Sequence, residues 1–206
     1  DDMAEIALLD GGLGQEINKR SRKDTHPLWS VKVMFDAPDV VVDVHSDFIE
    51  AGAQVICLNT YTATPTRMER HDFGDKFDEA HATAFQLATT AISNTGHTAG
   101  SIQIAGCIPP LVASYESNVS KNYAESLMEY RRIVDQQKHS VDLFLIETMS
   151  NIDEASAALD AAMESTKPVY VGLTLSDDLS DTLRSGEDLE DAISALVPKK
   201  PNGILL

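Results

Sequence analysis

Basic residues, cysteines and long apolar runs are all scarce in this 206-residue chain, and each scarcity excludes something. Only 16 Lys and Arg stand against 33 Asp and Glu, a formal charge of -17. That balance repels a phosphate backbone or an anionic bilayer, so neither nucleic acid nor membrane is an expected partner. No apolar run approaches the roughly 18–20 residues of a membrane span. The opening DDMAEIALLDGG lacks the basic start and small-residue cleavage site of a signal peptide, so the expected location is cytoplasmic. Two cysteines, Cys57 and Cys107, lie far apart within apolar stretches. This suits reduced, buried thiols better than a disulfide framework, and neither spacing has the form of a metal site. The one basic run, KRSRK from Lys19 to Lys23, reads as a solvated loop face.

What is present is ordinary for a globular chain: 43% hydrophobic and 24% charged residues, with no low-complexity linker, so residues 1–206 are expected to form a single domain. Short β-rich runs alternate with longer helical patterns, which implies parallel strands joined by crossover helices. The strand candidates are EIALLD, QVICLN, SIQIAG, DLFLIE, PVYVGLTL and GILL. Helical spacing is clearest in PDVVVDVHSDFIEAGA, with apolar Val41, Val44, Phe48 and Ile49, and in FDEAHATAFQLATTAISNTG. NYAESLMEYRRIVDQQ, NIDEASAALDAAMES and GEDLEDAISALV follow, with Asn151 and Ser185 as expected N-caps of the last two. Six such repeats fit a doubly wound sheet or part of an eight-stranded βα barrel. A barrel typically takes about 250 residues. The chain closes on NGILL, an apolar strand with no turn or helix after it, so further residues are expected beyond Leu206.

In either architecture the C-terminal tips of the strands converge on one side, so the tips are where chemistry is sought. The runs end in Asp10-Gly11-Gly12, Asn59-Thr60-Tyr61, Gly106-Cys107-Ile108-Pro109-Pro110, Glu147-Thr148 and Thr174-Leu175-Ser176. Asp10 and Glu147 therefore face a common rim, where such a pair can serve as acid and base or can hold an ammonium group; the structural alternative is that each caps a helix or satisfies loop amides. His45 reads as a partly buried helix residue bonding a neighbouring loop. Trp29, in HPLWS, either lines a pocket or fills a barrel end. GCIPP reads as a rigid turn with no catalytic role.

Taken together and in order, LLDGGLGQE, PLWS, VHSDFIEAGAQVICLNTYTATPTR and DLFLIETMSNIDEA resemble the zinc-dependent homocysteine S-methyltransferases, from about Leu8 to Leu206. That family includes betaine and S-methylmethionine users and the homocysteine module of cobalamin-dependent methionine synthase. The resemblance implies a (β/α)8 TIM barrel, with about six of its eight strands in this sequence, that transfers a methyl group to the thiol of homocysteine. It implies that Asp10 and Glu147 contact the amino acid's ammonium group and that Gly11 and Gly12 supply backbone close to the substrate. It also implies that Asn59 and Thr60 shape the pocket and that Trp29 lies toward the methyl donor. The implied cofactor is zinc, which holds the substrate sulfur as thiolate. The implied ligands are three cysteines, one just after the sixth strand and an adjacent pair nearer the C-terminus. Cys57 and Cys107 match neither, so the ligands are expected beyond Leu206. Homocysteine and a small methyl donor are the expected partners, and a homo-oligomer stays open. Two rival readings stand beside this one: a silent barrel that binds an amino acid or a protein without turnover, and a lyase whose carboxylate base would titrate near neutrality.

Overall fold

The computed structural model describes residues 7–21, 26–98, 100–178 and 180–206. Helices α1 (Leu13–Ser21), α2 (Trp29–Asp36) and α3 (Pro38–Glu50) come first, followed by β1 (Val55–Cys57), α4 (Pro65–Arg70) and α5 (Phe77–Asn94). Then β2 (Gln103–Ile108), α6 (Tyr123–Gln137), β3 (Leu143–Met149), α7 (Ile152–Met163), β4 (Val169–Leu173), α8 (Leu189–Leu196) and β5 (Gly203–Leu205) alternate to the end. The five strands form one sheet in the order β1-β2-β3-β4-β5, every pair parallel. Sequential parallel order with helical crossovers is the wall of a TIM barrel.

Five of the six expected strands form as such. At the sixth, Leu9 makes a single parallel bridge to Val55, and the Asp10 N–H donates to the Val55 carbonyl at 2.9 Å. Leu8–Asp10 thus extends the sheet beyond β1, while Glu5 and Ile6 of that run lie outside the described residues. The sheet is open among the described residues, with this segment and β5 as its outer members. Leu9 and Leu205 nevertheless line the same cavity, so the sheet curls toward closure.

Side-chain alternation sorts the sheet into two faces. Ile56, Ile104, Ile108, Phe144, Ile146, Val169 and Val171 point outward into a core shared with the helices. Val55, Cys57, Ala105, Cys107, Leu143 and Leu145 form a separate, smaller cluster on the concave face, with Tyr61 and Tyr170 packed against it. The helices sit where their caps and spacing direct. Pro38 starts α3. The Asn122 and Asn151 side chains accept the N–H groups of Glu125 and Glu154, at 3.0 and 2.8 Å, and so cap α6 and α7.

Three expectations are corrected. Ser185 does not cap α8, which starts at Leu189 after Asp188; the Ser185 hydroxyl instead donates to Glu187 Oε2 at 2.6 Å. His45 is fully buried on α3, and neither ring nitrogen has a hydrogen-bond partner among the described residues, so it bonds no loop. Burial alone depresses its pKa to about 4. The basic run is not a loop where it is described. Lys19, Arg20 and Ser21 form the last turn of α1, and Arg20 pairs with Glu16 at 2.9 Å and with Asp47 at 2.6 Å. Arg22 and Lys23 lie outside the described residues.

Candidate functional site

The strand tips surround a cavity of about 610 Å3. Its wall includes Asp10, Gly11, Gly12, Trp29, Asn59 and Glu147, six of the seven residues singled out from the sequence. The seventh, Thr60, is buried outside that wall, with its hydroxyl 3.4 Å from Gln137 Nε2. The same Gln137 amide donates to the Cys107 carbonyl at 3.2 Å and meets His81 Nδ1 at 3.1 Å. Thr60 therefore braces the tips of β1 and β2 from behind.

Each carboxylate is held in place by a local device. Asp10 ends the Leu8–Asp10 segment, and its Oδ2 accepts the Cys57 N–H at 2.8 Å, which locks it to the tip of β1. Glu147 stands at a break in the β3–β4 ladder, whose register shifts between Ile146 and Met149. Thr148 takes a left-handed φ of 63° there, so the strand bulges and re-aims its tip into the cavity. Gly172 on β4 faces the bulge, and a Cβ at that position would lie 3.1 Å from the Ile146 carbonyl oxygen. Two further glycines admit aromatic rings. A Cβ on Gly11 would come within 2.9 Å of the Phe48 ring, and one on Gly14 within 2.8 Å of the Trp29 ring. Trp29, itself at φ 48°, thus settles its two open readings as a pocket wall seated on α1.

The electrostatics are those of two acids removed from water beside each other. Burial raises the Asp10 pKa to about 7; the Cys57 N–H pulls against this, and the nearby Glu147 charge adds to it. Burial likewise raises Glu147, opposed by the thiols of Cys57 and Cys107. The Cys57 thiol donates to Glu147 Oε1 at 3.1 Å. Its pKa is pushed well up by its contact with Cys107, then by burial and the carboxylates. Cys107 is eased downward by Cys57, yet burial and Glu147 outweigh that and leave it at about 11. Both cysteines are free, buried thiols, as expected.

Their placement was not expected from spacing. Cys57 Sγ, Cys107 Sγ and a Glu147 carboxylate oxygen lie within 4.8 Å of one another. Two sulfurs and one oxygen, with a cavity on the remaining side, form a donor set that suits zinc with one open position. Sequence reasoning also missed the mouth of the cavity. The Tyr61 hydroxyl is 2.8 Å from Ser114 Oγ, and the Arg67 guanidinium lies 5.6 Å from the Tyr61 ring centre. The GCIPP turn serves as an anchor beside it. The Pro109 carbonyl accepts from the Tyr130 hydroxyl at 3.0 Å, and that of Pro110 accepts from Arg67 at 2.8 Å.

Known proteins match this chain along nearly its whole length. The family model described as homocysteine S-methyltransferase matches residues 7–206. The homocysteine S-methyltransferase of Escherichia coli K12 is 27% identical over 214 residues, covering 95% of this chain and 66% of that protein. The selenocysteine methyltransferase of Astragalus bisulcatus is 26% identical over 213 residues, covering 90% of this chain and 62% of that one. The chain thus spans just under two thirds of the length of these curated relatives. The crystal structure of metallated homocysteine methyltransferase MmuM from Escherichia coli superposes with a TM-score of 0.83 at 24% identity. That superposition covers 97% of this chain and 73% of the other, and it supports the barrel fold. With the family model spanning both the first strand tip and the last strand, this chain belongs to the homocysteine S-methyltransferase family.

Proposed function

We propose that the cavity binds homocysteine and that the protein transfers a methyl group to its sulfur from a sulfonium, quaternary ammonium or folate donor, giving methionine in the cytoplasm. The observation that carries this reading is the Asp10–Glu147 pair, both half-buried at the rim of a cavity in a chain that belongs to this family. Two neighbouring acids with raised pKa values are a poor arrangement for an empty site and a good one for a cation. An ammonium group relieves their mutual repulsion and gains two charge-assisted hydrogen bonds.

In this reading Asp10 and Glu147 orient the substrate and transfer no proton. Fixing the ammonium end leaves the sulfur little freedom, and this proximity is their contribution to rate. The Cys57 N–H holds Asp10 in position, Gly11 and Gly12 admit the substrate against the backbone, Asn59 shapes the wall, and Trp29 closes the donor side. Thr60 acts indirectly, through the tip it braces. Zinc, when bound, supplies a thiolate in place of a protonated, weakly nucleophilic thiol. Cys57 and Cys107 do not match the three cysteines that the family resemblance implies as its ligands, and in this reading Glu147 is committed to the ammonium group. The pKa of about 7 at Asp10 meets the requirement of the lyase reading. Family membership and the adjacent second carboxylate favour ammonium binding instead.

Calorimetric titration of homocysteine into metal-free protein tests the assignment. Glu147→Gln is expected to weaken binding roughly 10- to 100-fold, the loss of one hydrogen bond to a charged group. Unchanged affinity would remove Glu147 from the role.

A further inference from the structure

The donor cluster inside the cavity is built on ladder strands rather than loops. Cys57 pairs with Ala105 and Cys107 with Leu145, so β1, β2 and β3 each bring one donor to the concave face, each two residues further along than the one before, and the side chains converge. Such support is what a preorganised metal site needs. A disulfide is not the natural outcome of this register. Cys107 lies two residues past the ladder partner of Cys57, which separates the two Cα atoms by about 8 Å, beyond disulfide reach. A tetrahedral zinc-type ion, with sulfur at about 2.3 Å, asks for donor atoms only about 3.8 Å apart. Donors already within 4.8 Å reach that with small side-chain rotations.

We propose that Cys57, Cys107 and Glu147 form a site for a thiophilic divalent cation of the zinc class, with its fourth position open to the cavity. Binding replaces both S–H bonds by metal–sulfur bonds, and the two protons leave to solvent; no electron is transferred. The site is distinct from the three-cysteine set implied by the family resemblance, because it uses residues of β1, β2 and β3 that match none of those cysteines. It also has a consequence that rests on the homocysteine reading. Glu147 cannot serve the cation and the substrate ammonium fully at once, so cation and amino acid antagonise each other.

Cadmium alone is the probe, added to reduced, chelator-treated protein. The expected result is a thiolate-to-cadmium charge-transfer band in the ultraviolet that saturates at one equivalent. Cys57→Ala and Cys107→Ala should each diminish the band, and each should weaken binding by at least about tenfold, since even partners outside the coordination shell cost 10–100-fold. Glu147→Gln should keep the band and weaken affinity. Circular dichroism identifies any variant that does not fold, and the remaining variants then decide. No band at equimolar cadmium, or unchanged affinity in both cysteine variants, would overturn the site. L-methionine, which carries the ammonium but no thiol, should lower the apparent cadmium affinity. If it does not, the sharing of Glu147 is wrong and the cation site stands. If homocysteine fails to bind the metal-free protein while the band is intact, the substrate reading fails and the site survives.

Discussion

The two faces of the one sheet are made from the same strands yet are built differently. Outward, Ile56, Phe144, Ile146, Val169 and Val171 are each at most 1% exposed, large or β-branched, and covered by helices. Inward, the cluster is smaller in membership and in side chains, with Ala105, Cys57 and Cys107 among its six buried members, and it leaves the cavity open above it. Small inward residues leave room, and what lines that room is titratable. The outer face therefore carries most of the stability, and the inner face carries the candidate chemistry.

Neighbours on β3 give the sharpest way to break that division. Phe144 faces the helices and Leu145 the cavity. Phe144→Ala is expected to cost about 3–5 kcal/mol, because it removes buried surface and leaves an enclosed void. Leu145→Ala should cost about 2 kcal/mol, since its loss widens a space that is already open and adds little new void. Urea unfolding of both variants measures the difference. Equal costs would mean that the inner cluster is as tightly packed as the outer core.

Acid separates the faces next. His45 and His81 are buried among the outer helices, and burial lowers both pKa values from 6.5 to about 4; at His81 a bond to the Ala63 carbonyl opposes the shift. Between those limits the unfolded chain binds protons that the folded chain does not. Their contribution is thus complete above pH 6.5 and is lost as pH falls toward 4, up to about 3 kcal/mol for each ring. His45→Leu should flatten the acid limb of a stability–pH curve. A variant curve parallel to the wild type would show that His45 accepts a proton in the folded state.

Much of this architecture was legible in the sequence, for reasons that differ by element. α3, α5, α6 and α7 run 12 to 18 residues, long enough for a 3.6-residue period to show. α1 and α2 were not recognised. α1 buries only Leu13 and Ile17, and α2 reads WSVKVMFD, whose Val-Lys-Val centre alternates like a strand over just eight residues. The strands were found because they are apolar on both faces, and for the same reason inward could not be told from outward. This hid the Cys57–Cys107–Glu147 cluster. Its donors are 50 and 40 residues apart in the chain and meet only through ladder register. Asp10 and Glu147 were visible because an acid that ends an apolar run is conspicuous. Thr60 fell outside the cavity wall because the turn after β1 directs Asn59 and Tyr61 to the cavity and Thr60 behind it.

Helix caps test the outer layer at its smallest scale. Asn151 and Ser185 looked alike as caps in the sequence, but the structure uses them differently. Asn151 accepts the Glu154 N–H, and the neighbouring Ile152 N–H goes to Glu187 Oε2 at 3.0 Å, a carboxylate that Ser185 steadies. The start of α7 is therefore capped twice, once by its own residue and once by the loop before α8. Asn151→Ala should cost about 1 kcal/mol, the lower part of the usual range, because Glu187 remains to satisfy part of the exposed helix end. Ser185→Ala should cost less, within about 0.5 kcal/mol, since it loosens only the support of Glu187. The double variant is expected to cost more than the sum if the two caps compensate for each other, and thermal unfolding of the three variants measures that coupling. Strict additivity would mean that the α7 terminus does not share its caps, and that Glu187 from the loop before α8 does not compensate for Asn151.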